Sequence, residues 1–134
     1  MIVQKTLSLE ELDSADFGIQ ENDVVFLYGD LGSGKTTLVR SIAKRFLQNA
    51  SAIKSPTYGY YRKYEGKICH FDLYRIEDYE TFINIGGEEI MENGGLILVE
   101  WPEIIEPIYI PTVRIRIEKT PDSETRVFTI ERCM

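Results

Sequence analysis

Gly29-Asp30-Leu31-Gly32-Ser33-Gly34-Lys35-Thr36-Thr37 fits the pattern G-x-x-x-x-G-K-[ST], with Gly29, Gly34, Lys35 and Thr36 at the fixed positions. Its glycines let the backbone wrap tightly, so that N–H groups converge on an anion. A helix opening at the loop's exit adds unpaired N–H groups and the positive end of its dipole. Lys35 supplies a mobile point charge for β- and γ-phosphates. The Thr36 hydroxyl is placed for Mg²⁺, which prefers oxygen ligands and is usually shared with the phosphates. The alternative is a glycine turn that binds nothing, and such a turn has no need of Lys-Thr at its exit.

The flanking sequence has the arrangement this motif requires. Val24-Val25-Phe26-Leu27-Tyr28 is an apolar, β-branched run of strand length that ends at Gly29. Beyond Thr37, Leu38, Val39, Ile42, Ala43, Phe46 and Leu47 recur at helical spacing, with Arg40, Lys44 and Arg45 between them. Strand, loop and helix predict an α/β fold of the P-loop nucleoside-triphosphatase type. Its expected form is a three-layer sandwich, with a mainly parallel central sheet and added antiparallel C-terminal strands.

Composition bounds the rest. A chain of 134 residues, 43% of them apolar, suits a single domain spanning residues 1–134 with one core. No apolar run approaches the ~18 residues of a membrane span. The first residues lack the apolar stretch of a secretory signal. Cys69 and Cys133 have no metal-ligand spacing. A reduced, cytoplasmic protein without membrane contact is the expectation. The formal charge of −7 argues against a broad grip on DNA or RNA backbones.

Residues 2–7 suggest a short first strand, and Ser8-Leu9-Glu10-Glu11 a capping box opening a short helix. Residues 58–64 and 67–73 form two strands joined at Glu65-Gly66. Residues 76–85 suggest a helix that Gly86-Gly87 breaks, with another turn over 88–92. Leu96-Ile97-Leu98-Val99 suits a strand buried on both faces, placed beside or near the strand before the loop. Residues 112–119 and 124–132 predict a second hairpin.

Three further features carry candidate chemistry. Glu100 follows the buried strand, where P-loop proteins carry a carboxylate near the Mg²⁺. Asp is usual there; a Glu has the length to reach the metal, hold its water shell or orient an attacking water, and the alternative is a solvated strand end. In Cys69-His70-Phe71-Asp72-Leu73-Tyr74-Arg75, His70 and Asp72 share a face. Asp72 has the chemistry to order a water or complete the metal's outer shell. His70, the chain's single histidine, reads as structural, with a hydrogen bond to Asp72 as its candidate role. Ser55-Pro56-Thr57 is a loop whose Thr57 is either a switch residue closing over Mg²⁺ or a turn threonine. Trp101 is either a core plug or a sensor of the nucleotide. Five tyrosines between Tyr58 and Tyr74 suit a partner surface as well as a hairpin.

Taken together and in this order, the motifs resemble the TsaE (YjeE) family, small bacterial P-loop ATPases of tRNA threonylcarbamoyladenosine synthesis. The resemblance rests on the loop at 29–37, Ser-Pro-Thr-Tyr at 55–58, His-Phe-Asp-Leu-Tyr-Arg at 70–75 and Val-Glu-Trp-Pro-Glu at 99–103. Arg126 in the terminal strands also fits, and the likeness runs from about residue 24 to 130. It implies ATP and ADP as nucleotides, bound at Gly32, Ser33, Gly34, Lys35, Thr36 and Thr37, with Trp101 close by. It implies Mg²⁺ held by Thr36 and Glu100, with Asp72 needed for hydrolysis. The implied partner is a two-protein threonylcarbamoyl-transfer complex of the TsaB–TsaD type, with tRNA, modified at adenosine 37, met only indirectly. The family usually carries a longer N-terminal helix whose residues help enclose adenine. Here the 8–23 segment is short and the helix's typical threonine is replaced near Leu12, which leaves the adenine contacts unassigned.

Two other functions use the same loop. A small P-loop kinase needs an acceptor pocket and an arginine-bearing lid, and the chain has no evident Arg-rich insertion. A nucleotide-dependent docking module needs binding without essential hydrolysis.

Overall fold

The computed structural model describes residues 1–49, 60–122 and 124–133. Ser55-Pro56-Thr57-Tyr58 therefore lies outside the described residues. Seven strands form one sheet: β1 (Ile2–Ser8), β2 (Val24–Tyr28), β3 (Tyr61–Tyr64), β4 (Ile68–Asp72), β5 (Leu96–Glu100), β6 (Val113–Lys119) and β7 (Thr125–Arg132), in the order β1-β7-β6-β2-β5-β4-β3. The centre is parallel, with β2 between β5 and β6 and with β4 beyond β5. Both edges are antiparallel. The terminal hairpin adds β7, β1 pairs outside it, and β3 folds back on β4. The mainly parallel sheet expected from sequence is present. The terminal hairpin differs in detail, because its first strand, β6, joins the parallel centre and only β7 runs against it.

Side-chain alternation divides the sheet into two apolar faces. Val25 and Leu27 of β2 pack with Leu96 and Leu98 of β5 against Leu38, Val39, Ile42 and Ala43 of α1 (Lys35–Ala43). Leu12, in a 3-10 turn over Leu9–Ser14, joins this face. Phe26, Phe71, Ile97 and Val99 point the other way, onto Phe82 of α2 (Tyr79–Asn84) and Ile90 of α3 (Gly87–Glu92). Helices thus cover both faces of the sheet. β5 is buried along its whole length, as an apolar run between two helical layers must be.

Local signals explain most element ends. Ser8 accepts from the Glu11 N–H while Glu11 accepts from the Ser8 N–H, completing the expected capping box, although the helix it opens is a single 3-10 segment. α2 starts later than the apolar pattern suggests. Asp78 takes the N-cap and accepts from the N–H and the hydroxyl of Thr81, so residues 76–78 stay outside the helix. Cys69 and Cys133 are free, and burial pushes the Cys69 thiol up to about 12, which leaves it unreactive. Among the described residues no helix is long and apolar enough to cross a membrane.

Candidate functional site

The loop at 29–34 connects β2 to α1, so it lies where the parallel strands end. Two positions of the loop demand glycine. Gly34, the N-cap of α1, has φ 109°, a conformation that side chains rarely adopt. At Gly29 a Cβ would sit 2.6 Å from Ser33 Oγ and 3.0 Å from the Ile117 carbonyl. The loop is closed partly on its own carbonyls. Ser33 N–H donates to the Asp30 carbonyl at 3.0 Å, and Lys35 Nζ donates to the Gly29 and Asp30 carbonyls at 2.5 and 3.0 Å. From β7, Arg126 Nε donates to the Ser33 carbonyl at 3.0 Å, tying the terminal strands to the loop.

Strand parity delivers the acidic residues. In β4 and β5, Ile68, His70 and Asp72 share the α1 face with Leu96, Leu98 and Glu100, and the register sets Asp72 directly beside Glu100. Glu100 is 3% exposed, and Thr36 Oγ1 donates to its carboxylate, 3.1 Å from one oxygen and 3.5 Å from the other. Asp72 is half-buried and accepts from the Tyr74 N–H at 3.1 Å.

His70 departs from the sequence reading. Its Nε2 meets Glu100 Oε2 at 2.5 Å, with both side chains buried. Along one strand, residues two apart stand side by side without converging. Across the β4–β5 register, the long Glu100 side chain reaches back to His70, and a single strand's sequence carries no record of that register.

Trp101 adopts φ 57°, ψ 59°, which costs a non-glycine residue roughly 1–2 kcal/mol. The turn sets its indole 4.3 Å from Lys35 Nζ and 4.9 Å from the Tyr74 ring. Trp101 is thus a cleft residue and no core plug. Burial holds Lys35 below the ordinary lysine value, while the charges of Glu100, Asp72, Asp30 and Glu103 act to raise it.

These groups line one cleft of about 340 Å³ with Leu9, Leu31, Gly32, Gly34, Thr37 and Tyr74. Ser33 does not line it: its side chain is buried, and its Oγ has no hydrogen-bond partner among the described residues. Arg75 is exposed and also stands outside the lining. Sequence reasoning missed Leu9 and the placement of Tyr74. Tyr74 stands in the 70–75 motif without a task of its own there, and Leu9 arrives from a segment remote in sequence. Larger depressions lie elsewhere, one of them an apolar hollow under β1 of about 440 Å³. It has no convergent carboxylates or glycine loop, so chemistry and not size selects the site.

The donor set fits a small hard cation. Thr36 and Glu100 offer oxygen only, on the cleft side of the loop, which suits Mg²⁺ completed by phosphate and water. Among the described residues no three His, Cys, Asp or Glu side chains cluster as a self-sufficient metal cage.

A glycine loop between a central strand and a helix, with carboxylates at the ends of the neighbouring strands, defines a P-loop protein of the nucleotide-binding α/β class. Comparison with known proteins narrows this. The family model described as "Threonylcarbamoyl adenosine biosynthesis protein TsaE" matches residues 6–128. The chain is similar to the tRNA threonylcarbamoyladenosine biosynthesis protein TsaE of Rickettsia conorii, 39% identical over 84% of this chain and 65% of that protein. Its likeness to the same-named Rickettsia typhi protein is 38% identity over 85% of this chain and 81% of the relative. In structure it resembles YdiB of Bacillus subtilis, with a TM-score of 0.69 and 26% identity over 98% of this chain and 87% of that one. The chain belongs to the TsaE family of tRNA threonylcarbamoyladenosine biosynthesis proteins.

Proposed function

We propose that the protein is a Mg²⁺-dependent ATPase of tRNA N6-threonylcarbamoyladenosine formation, slow alone and stimulated by the two-protein threonylcarbamoyl-transfer complex. The observation that carries this reading is the meeting of Lys35, Thr36, Asp72 and Glu100 in one cleft at the mouth of the glycine loop. In this reading the whole chain works as one cytoplasmic unit and meets tRNA only through its partners.

Each residue then has a physical task. Lys35 leaves the carbonyls of Gly29 and Asp30 for the β- and γ-phosphates, whose full charge outcompetes a neutral acceptor. N–H groups at the start of α1 donate to the phosphate oxygens, with the positive end of the helix dipole behind them. Thr36 and Glu100 would hold Mg²⁺, whose charge would offset that of the phosphates. Asp72, beside Glu100 and open to the cleft, orients the attacking water. Trp101 and Tyr74 form an aromatic wall that shields Lys35 from water and strengthens its charge interactions.

Partner stimulation has its own support. No arginine lines the cleft among the described residues. A partner-supplied arginine is worth on the order of 10³–10⁵ in rate for P-loop hydrolysis. The same observation disfavours a kinase, which needs such groups in a lid of its own. The test is steady-state phosphate release by this chain alone and with the transferase heterodimer. Stimulation at saturating partner is expected. Its absence, with ATP-dependent partner binding intact, would favour a docking module over an ATPase.

A further inference from the structure

Glu100 occupies a place where an aspartate suffices in other P-loop proteins. The extra methylene gives it one more free torsion, and ordering a glutamate side chain carries an entropic cost. A loose carboxylate at this position would pay that cost whenever a cation was bound. Something must therefore hold the side chain in advance.

The surroundings of His70 identify the holder. His70 is fully buried on β4, and its Nε2 stands 2.5 Å from Glu100 Oε2. A carboxylate can only accept, so Nε2 carries the proton. The other ring nitrogen, Nδ1, is buried with no hydrogen-bond partner among the described residues. A histidine serving as a general brace would satisfy both nitrogens, since an orphaned buried polar atom is destabilising. Here one nitrogen has no partner among the described residues and the other is committed to Glu100. Thr36 Oγ1 donates to the same Oε2 at 3.1 Å. His70, Glu100 and Thr36 thus form a chain running from the sheet interior to the cleft.

We propose that His70 is a positioning residue that fixes the Glu100 carboxylate toward Thr36, so that the cation site is preformed before metal and nucleotide arrive. The inference rests on the reading of Thr36 and Glu100 as Mg²⁺ ligands. Hydrogen-bond partners of metal-ligating groups are worth about 10–100-fold in metal affinity. His70 therefore sets the contribution of Mg²⁺ to nucleotide binding and leaves metal-free binding, which depends on the loop and Lys35, nearly untouched.

The experiment is calorimetric titration of ADP, with Mg²⁺ and with chelator, into the wild-type chain and into His70→Leu and His70→Gln. His70→Leu keeps the buried volume and removes the donor; it should keep metal-free ADP affinity within about 2-fold and lose roughly 10–100-fold of the Mg²⁺ gain. His70→Gln retains an N–H donor and should recover much of that gain, whereas a purely structural role would move melting temperature without moving this difference. Wild-type affinity indifferent to Mg²⁺ would overturn the metal reading and this inference with it. A wild-type gain that His70→Leu retains would overturn the inference alone. Should His70→Leu not fold, the single histidine gives an unambiguous ¹⁵N imidazole spectrum in the wild type. The Nε2–H form should be present and should shift when Mg²⁺ joins the ADP complex; an Nδ1–H form, or no shift despite a Mg²⁺ gain, would refute the proposal.

Discussion

Asp23 and Glu100 stand at opposite edges of the parallel strands, and the molecule treats them differently. Asp23, just before β2, is held by charged and neutral donors together. Arg132 grips it through both guanidinium N–H₂ groups at 2.9 and 2.8 Å, Thr112 donates at 2.7 Å, and the Gln20 N–H donates at 2.7 Å. Glu100, at the end of β5, is equally buried, but among the described residues its carboxylate meets no arginine; it bonds to His70 and Thr36. Asp23 is a clasp joining the start of β2, the approach to β6 and the end of β7. Glu100 is left with one imidazole nitrogen and one hydroxyl, and no guanidinium grips it among the described residues. Burial alone does not mark a functional carboxylate; the charge state and exchangeability of its donors do.

Substitutions at the two edges should separate along the same line. The largest effect is expected at Asp72, the neighbour of Glu100. Asp72→Ala should lower ATP hydrolysis by roughly 10²–10⁴-fold while largely keeping ATP affinity, because a group that orients water acts mainly in the transition state. Single-turnover hydrolysis beside calorimetric binding measures both. An equal fall in the two would make Asp72 a binding or folding residue.

Next is Lys35→Ala, which removes the charged donor from the loop. Nucleotide affinity should fall about 10²-fold or more, two charge-assisted hydrogen bonds being worth roughly 1.5–3 kcal/mol each. Thermal stability should change little or rise, since Lys35 is buried at a cost to its charge. A variant that binds ADP as the wild type does would remove the loop from the site.

The smallest effect belongs to the clasp, and it concerns stability only. Asp23→Ala leaves Arg132 and Thr112 without their partner and should cost about 1–3 kcal/mol in denaturant unfolding, with nucleotide affinity unchanged. Acid sharpens the contrast. Burial acts to raise the Asp23 carboxyl, but the hydrogen bonds of Arg132, Gln20 and Thr112 outweigh it and hold the group below the ordinary aspartate value. Its contribution is therefore fully present above the unfolded value of about 3.9 and is lost as pH falls through the folded one. The stability gap between wild type and Asp23→Ala should be flat above about pH 5 and shrink below the unfolded value. A gap that widens on acidification would contradict the clasp.

By itself, the sequence determined the elements whose information is local. The glycine loop, the strand that enters it, the helix that leaves it and the doubly buried β5 each follow from residues within a few positions of one another. The capping box at Ser8 and the breaks at glycine did so too. Tertiary structure decided everything that depends on strand register. It set Asp72 beside Glu100, turned His70 toward Glu100 instead of Asp72, and brought Leu9 and Arg126 to the loop from opposite ends of the chain. It also separated Asp23 from Glu100, two acidic residues at the ends of apolar runs whose sequence settings look alike. Periodicity of side chains fixes which face a residue takes, but the partner across a strand boundary comes from a segment tens of residues away. That pairing is chosen by the packing of both sheet faces at once.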